Sequence, residues 1–196
     1  MCLTHIIELA LDVYARRIYL RWMDNPRIAN VIGALALALS DRLLREAQDQ
    51  APEPGPAAAA IALLRHEPGL TIERLRRALG LSHPGAVRLV DRLCEDGLVF
   101  RGMSARDRRA VALHLTDKGE AACSAILLAR QGGLAPALSH LNAVELATFG
   151  ALAEKILRGV VENQDHAYAI CRLCDCVACS DCPVDDELQG RAAKAV

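Results

Sequence analysis

The chain has 196 residues, 53% hydrophobic and 24% charged, so it is able to bury a core and is not a disordered polymer. Aromatics make up only 3%, and apolar content carried by Leu, Ala, Val and Ile favours helices over sheets. The formal net charge of −1 hides a gradient: residues 71–110 hold nine bases against five acids, and residues 121–196 hold six against nine.

No segment reads as the roughly 18 to 20 apolar residues of a membrane span. The most apolar run, Ile28 to Leu39, is too short. The opening stretch, MCLTHIIELALDVYARR, carries Glu8 and Asp12 inside its apolar part and has no basic lead-in, which argues against a signal peptide. The expectation is a cytoplasmic protein with no membrane partner, whose thiols stay reduced.

Leu3, Ile6, Ile7, Ala10, Tyr14 and Ile18 recur at helical spacing, so residues 1–24 read as an N-terminal helical extension. Met23 offers an alternative start that would make the first 22 residues an appendage. Asn25 before Pro26 then opens a helix. Ile28, Ile32, Leu35, Leu39 and Leu43 form one stripe on it, and Leu37 and Leu44 a second. A helix apolar on two sides must be covered on both, most simply by a second subunit.

APEPGP (51–56) is a loop by composition, and Pro56 opens a short helix through AAAAIALLRH. Gly69 ends it, Thr71 caps IERLRRAL, and Gly80 ends that helix in turn. Ser82 is placed to cap HPGAVRLVDRLCEDG, with Pro84 in its first turn; such a cap contributes about 1 kcal/mol. Three short helices with a Gly-containing turn between the last two have helix-turn-helix geometry. After Gly97 the period changes. LVFRGM and AVALHLT read as strands, with Val111, Leu113 and Leu115 alternating against Ala112 and His114. The arginine-rich SARDRR between them makes the hairpin a wing with a basic tip. This basic middle of the chain points to a polyanionic partner.

From Asp117 the pattern is helical again, and Gly132, Gly133 and Pro136 predict a kink or break. Asn142 with Glu145 three residues later forms a capping box that opens a helix with Phe149, Leu152, Ile156 and Val160 on one face. A polar stretch, ENQDHAYAI, leads into the cysteine-rich CRLCDCVACSDC.

LSHPGAVRLVDRLCEDGLVFR followed by DRRAVALHLTDKG resembles the MarR family of winged helix-turn-helix transcription regulators, over roughly residues 25–160. The resemblance implies a mainly α fold with a small β-hairpin wing: a winged helix-turn-helix DNA-binding domain (56–116) and a helical dimerisation region (25–55 and 117–163), followed by a cysteine-rich tail (164–196). It also implies a homodimer that binds pseudo-palindromic double-stranded DNA, as a repressor, and lets go when a small-molecule inducer, a metal or an oxidant acts. Ser82 and the start of the helix after it would then face the major groove. His83, Gly85, Ala86 and Arg88 are the outward candidates, while Val87, Leu89, Val90 and Leu93 hold the helix on its scaffold. Arg88 is suited to reading guanine through two parallel bonds, or to holding a phosphate. In the wing, Asp107 would orient Arg109 into the minor groove, leaving Arg106 and Arg108 for phosphates. Arg92 is expected to pair within its own helix. The glycine–proline interruption and the cysteine tail depart from the family pattern.

The tail spacing is C-x2-C-x-C-x2-C-x2-C. Short C-x2-C steps bring two thiolates to one ion, and four thiolates close a tetrahedral shell. Cys171, Cys174, Cys179 and Cys182 are the expected ligands, with Cys176 spare and His166 a substitute; zinc, cuprous copper or an iron–sulfur cluster suits such soft donors. Without a metal, the neighbouring Asp175, Asp181, Asp185 and Asp186 are expected to raise the thiol pKa values. A redox or disulfide switch and an incidental tail are the alternatives. Cys94 and Cys123 read as core residues. The competing function class is a small metal- or thiol-dependent redox enzyme with a helical body, which lacks support from any H-E-x-x-H, phosphate-binding glycine loop or βαβ setting.

Overall fold

The computed structural model describes residues 26–103, 111–179 and 181–194. The expectations for residues 1–24, for Asn25 and for the hairpin tip at 104–110 lie outside the described residues.

Helix α1 (Pro26–Asp49) runs across the boundary between two compact units, one ending at Asp41 and the other starting at Arg42. In the first unit its apolar residues Val31, Ile32, Leu35 and Leu37 are 41–67% exposed. In the second unit Ala47 is buried, and Leu43 and Leu44 pack against the main core.

That core is built around α2 (Ala57–His66), in which every residue from Ala57 to Leu64 is buried. Four successive alanines let neighbours approach closely on all sides. Helix α3 (Ile72–Ala78) is capped by Thr71, whose hydroxyl accepts from the Arg74 amide at 3.3 Å. Helix α4 (His83–Glu95) ends in a turn that needs Gly97 at φ +70°: the Gly97 amide donates to Cys94 and the Leu98 amide to Leu93. The chain then enters β1 (Val99–Met103), which pairs antiparallel with β2 (Val111–Leu115) in the register Val99↔Leu115 to Met103↔Val111.

The alternation expected for β2 does not hold. Val111 is exposed and Ala112 buried. The reason lies before α3, where Leu70 bridges to Leu113 through two backbone bonds, from Gly69 N to Leu113 O at 2.9 Å and from Leu113 N to Leu70 O at 3.0 Å. This segment covers the face that carries Ala112 and His114.

Helix α5 (Asp117–Leu138) is capped by Thr116 and packs on α2. The expected break at Gly132, Gly133 and Pro136 is absent, and the helix continues to Leu138. Pro136 removes one amide, but so close to the end that Ser139 completes the last turn by donating to Ala135 O and Pro136 O, both at 2.9 Å. Gly133 is buried because α1 lies against it: an added Cβ would meet Glu46 Cγ at 2.8 Å. Contrary to expectation, α5 is long and apolar enough to cross a membrane by length and composition alone, with a mean hydropathy of 1.2 over 18 residues. In this structure it contributes Cys123, Ile126 and Leu127 to the core, and most of its other residues are exposed or half-buried.

Helix α6 (Ala143–Val160) begins with the expected capping box, Asn142 Oδ1 accepting from the Val144 and Glu145 amides while Glu145 accepts from the Asn142 amide. It has no buried residue. The tail, read from sequence only as a polar lead and a thiol run, contains α7 (Gln164–Cys171) and α8 (Pro183–Lys194). Helix α7 packs on α3, and α8 on α6 and α7, around a small second core of Val161, Ala167, Cys171 and Val184.

Candidate nucleic-acid interface and cysteine cavity

Helix α4 buries Ala86, Leu89, Val90 and Leu93, a stripe at steps of three, one and three that faces the core. Ser82, His83 and Arg88 are exposed and Gly85 is half-buried, so the first turn and a half present a small polar surface. The Ser82 hydroxyl accepts from the Gly85 amide at 3.2 Å and so orders this end of the helix. Ala86 does not belong to that surface. It is 0% exposed, because it falls one helical turn before Leu89 and Val90 on the same inward stripe. Val87, expected to anchor the helix, is only half-buried.

The arginines divide into committed and uncommitted groups. Arg76 and Arg77 both bond Glu73, and two guanidinium donors hold its carboxyl down at about 2. Arg101 reaches from β1 to Asp91 on α4 at 2.5 Å. Arg92 does not pair within its helix. It makes a forked bond to Glu53 in the loop before α2, with N–O distances of 2.5 and 3.0 Å. The sequence placed Glu53 in a loop and had no means to bring it to α4. Arg88 differs, because among the described residues it has no hydrogen bond or ion pair. Much of the positive charge counted along residues 71–110 is thus neutralised internally, while Arg88 is exposed and has no partner among the described residues. Arg106, Asp107, Arg108 and Arg109 lie outside the described residues.

Residues 54–110, which include α2, α3, α4 and β1, match the MarR family profile. The winged-helix region is similar to the MarR family over these residues. Solved structures extend the likeness beyond it. A MarR family protein from Bacillus stearothermophilus is 28% identical, with a TM-score of 0.57 over 68% of this chain and 93% of that one. MarR from E. coli in its apo form is 26% identical, with a TM-score of 0.52 over 64% and 96%. CouR from Rhodococcus jostii RHA1, solved with p-coumaroyl-CoA, shares the fold at 16% identity, with a TM-score of 0.51 over 66% and 91%.

Beyond the MarR-family match, the tail folds its thiols together. Cys171, Cys174, Cys176, Cys179 and Cys182 line one cavity of about 330 Å³, and the sixth side chain with them is His66, at the end of α2. His166, the expected substitute, is not among the lining residues. Its Nδ1 is buried without a hydrogen bond, 4.0 Å from Glu162. His66 is 105 positions from Cys171, and only the packing of the tail on the winged domain brings the two together. Asp185 and Asp186, in the first turn of α8, complete one wall, and Asp186 also pairs with Arg158 at 3.0 Å.

The expectation that nearby acids raise every tail thiol fails at Cys174. Its pKa is lowered to about 6, first by a hydrogen bond from the Cys171 thiol and more weakly by the charge of Arg130, against the opposing effects of burial and of Asp175. The same bond, with burial, pushes Cys171 up. Burial and the neighbouring Cys182 push Cys179 up to about 11. Cys123 is raised by burial to about 11 and Cys94 also upward, as fits residues of the core. All seven cysteines of the described residues are free thiols, and no group of three or more His, Cys, Asp or Glu side chains there stands ready-formed to hold a metal ion.

Proposed function

We infer that this protein is a transcription regulator that binds double-stranded DNA as a homodimer, placing α4 in the major groove and the hairpin beside it. The observation that carries the reading is the exposed start of α4. Ser82, His83 and Arg88, the last without a partner among the described residues, are exposed beside Gly85 on a helix whose other face is locked into the core, while Arg92 and Arg101 are held by acids. Such a face offers hydrogen-bond donors to base edges and phosphates at a fixed orientation. The wing arginines Arg106, Arg108 and Arg109, with Asp107, extend the contact along the backbone and into the minor groove.

Dimerisation is supported by two apolar faces that a single chain leaves in water. One is Val31, Ile32, Leu35 and Leu37 on α1; the other is Phe149, Leu152, Ile156 and Val160 on α6. Release by a small ligand is the regulatory part of the reading. It is supported by the ligand held by CouR, a protein of the same fold. The protein acts in the cytoplasm as a regulator rather than an enzyme, and the likeness to the MarR family favours this over a thiol-dependent redox enzyme.

Selection of bound sequences from a random duplex pool tests the reading. A pseudo-palindromic site bound in a salt-sensitive way is expected, with Arg88→Ala and Arg109→Ala each weakening it. A protein that retains no duplex preference over single strands, or binding indifferent to both changes, refutes it.

A further inference from the structure

We propose that Cys171, Cys174, Cys179 and Cys182 bind one soft-metal centre through their thiolates, at a site that His66 closes from the winged-helix domain. The site does not rest on the DNA-binding reading, and it is tested without DNA.

Three observations converge on it. First, the cavity gathers five thiols and an imidazole beside Asp185, Asp186 and Gln189, so the soft donors that suit zinc or an iron–sulfur cluster outnumber the oxygen donors that suit hard ions. The thiols and the imidazole come from the end of α7, the loop between α7 and α8, and the far end of α2, so the centre would add a tie between the tail and the winged-helix domain to the packing of Tyr168 and Leu173 in the main core. Second, the loop is shaped before any ion arrives. Cys174 N donates to Cys171 O at 2.8 Å, Cys179 N to Asp175 O at 3.1 Å, and Asp175 Oδ1 accepts from the Val177 amide at 3.1 Å. Third, Arg130, whose charge bears on Cys174, has a buried Nε with no acceptor. Its guanidinium would offset part of the negative charge of a four-thiolate shell.

The ligand-free thiols ring the cavity without standing at the mutual spacing of a bound ion. Turning a cysteine about χ1 from one staggered position to the next carries its sulfur about 3 Å, enough to draw a ring of thiols inward. Cys176 lies between the two C-x2-C steps and is the lining thiol outside the ligand set. His66 acts by closing the cavity and donating to a thiolate, as outer partners of a metal site do.

The full chain purified without oxygen is to be analysed for metal, acid-labile sulfide and visible absorbance. About one zinc per chain, colourless, or iron with matching sulfide and a visible band, supports the centre and identifies its occupant. Cys174→Ser and Cys179→Ser should abolish it, and Cys176→Ser should retain it. His66→Ala should keep the metal but lose it to a chelator about tenfold more readily. Should the first two variants fail to fold, wild-type protein stripped by chelator and titrated with cobalt provides a second readout, a thiolate-to-cobalt charge-transfer band saturating at one equivalent. Metal-free protein that gives no such band overturns the proposal. So does metal that survives Cys174→Ser and Cys179→Ser together, and metal lost on Cys176→Ser overturns the ligand assignment.

Discussion

The three glycines of α5 provide a test in which local propensity and tertiary packing predict opposite signs. Exchanging a helical Gly for Ala stabilises by about 1 kcal/mol when nothing else changes. Gly132 meets that condition, because an added Cβ finds no atom within 4 Å. Gly119 does not. Its Cβ would stand 2.1 Å from the carbonyl oxygen of Leu98, nearly 1 Å inside the 3.0 Å limit for such contacts, and 3.2 Å from Leu115 Cδ2. That carbonyl accepts from the Thr116 amide at 3.0 Å, so it cannot retreat without opening the junction between hairpin and helix. Overpacking against backbone costs about 1–3 kcal/mol, and weakening the Thr116 bond adds about 1 kcal/mol. Less the propensity gain, Gly119→Ala should destabilise by about 2 kcal/mol. At about 2–4 °C per kcal/mol for a chain of this size, Tm should fall by roughly 4–8 °C, whereas Gly132→Ala should raise it by about 2–4 °C. Gly133→Ala should fall between, because the obstacle is the flexible Glu46 side chain, its Cγ at 2.8 Å. Thermal unfolding of the three variants in one buffer provides the comparison. A Gly119→Ala protein as stable as the parent would refute the close approach of α5 to the Leu98 carbonyl.

Breaking the forked pair by Arg92→Ala should lower stability while leaving sequence preference on DNA unaltered, and a relaxed preference at one base position would move Arg92 from scaffold to reader. Arg88→Ala should do the reverse, costing about 1–3 kcal/mol of binding at one position per half-site if it reads a base; an equal loss on every sequence would make it a phosphate contact. Leu152→Glu with Ile156→Glu should convert a dimer to monomers in sedimentation at micromolar concentration, and an unchanged dimer would place the interface elsewhere. Because Arg76 and Arg77 hold the Glu73 carboxyl at about 2 instead of 4.5, its contribution is complete above pH 4.5 and is lost as pH falls towards 2. Acid titration of Glu73→Gln should therefore show a shallower loss of stability across that window, and a slope equal to that of the parent would remove Glu73 from the account.

What the sequence determined by itself was local. Ser82, Thr71 and Asn142 cap the helices they precede because a cap is made within three residues of chain. The inward stripe of α4 follows from its 3.6-residue period; of the two misplaced positions, Val87 is half-buried at the edge of that stripe and Ala86 is a small residue whose burial hydrophobicity alone signals weakly. The density of thiols was legible for the same reason, since C-x2-C steps are short. Tertiary structure decided everything that joins distant segments. Glu53 holds Arg92, Leu70 bridges Leu113, and His66 completes the cavity of the tail thiols. It also reversed the expected break in α5, because a glycine that weakens an isolated helix is the residue that lets α1 pack against it. These outcomes depend on which surfaces meet, and no period or spacing along the chain encodes the distance between residues brought together only by packing.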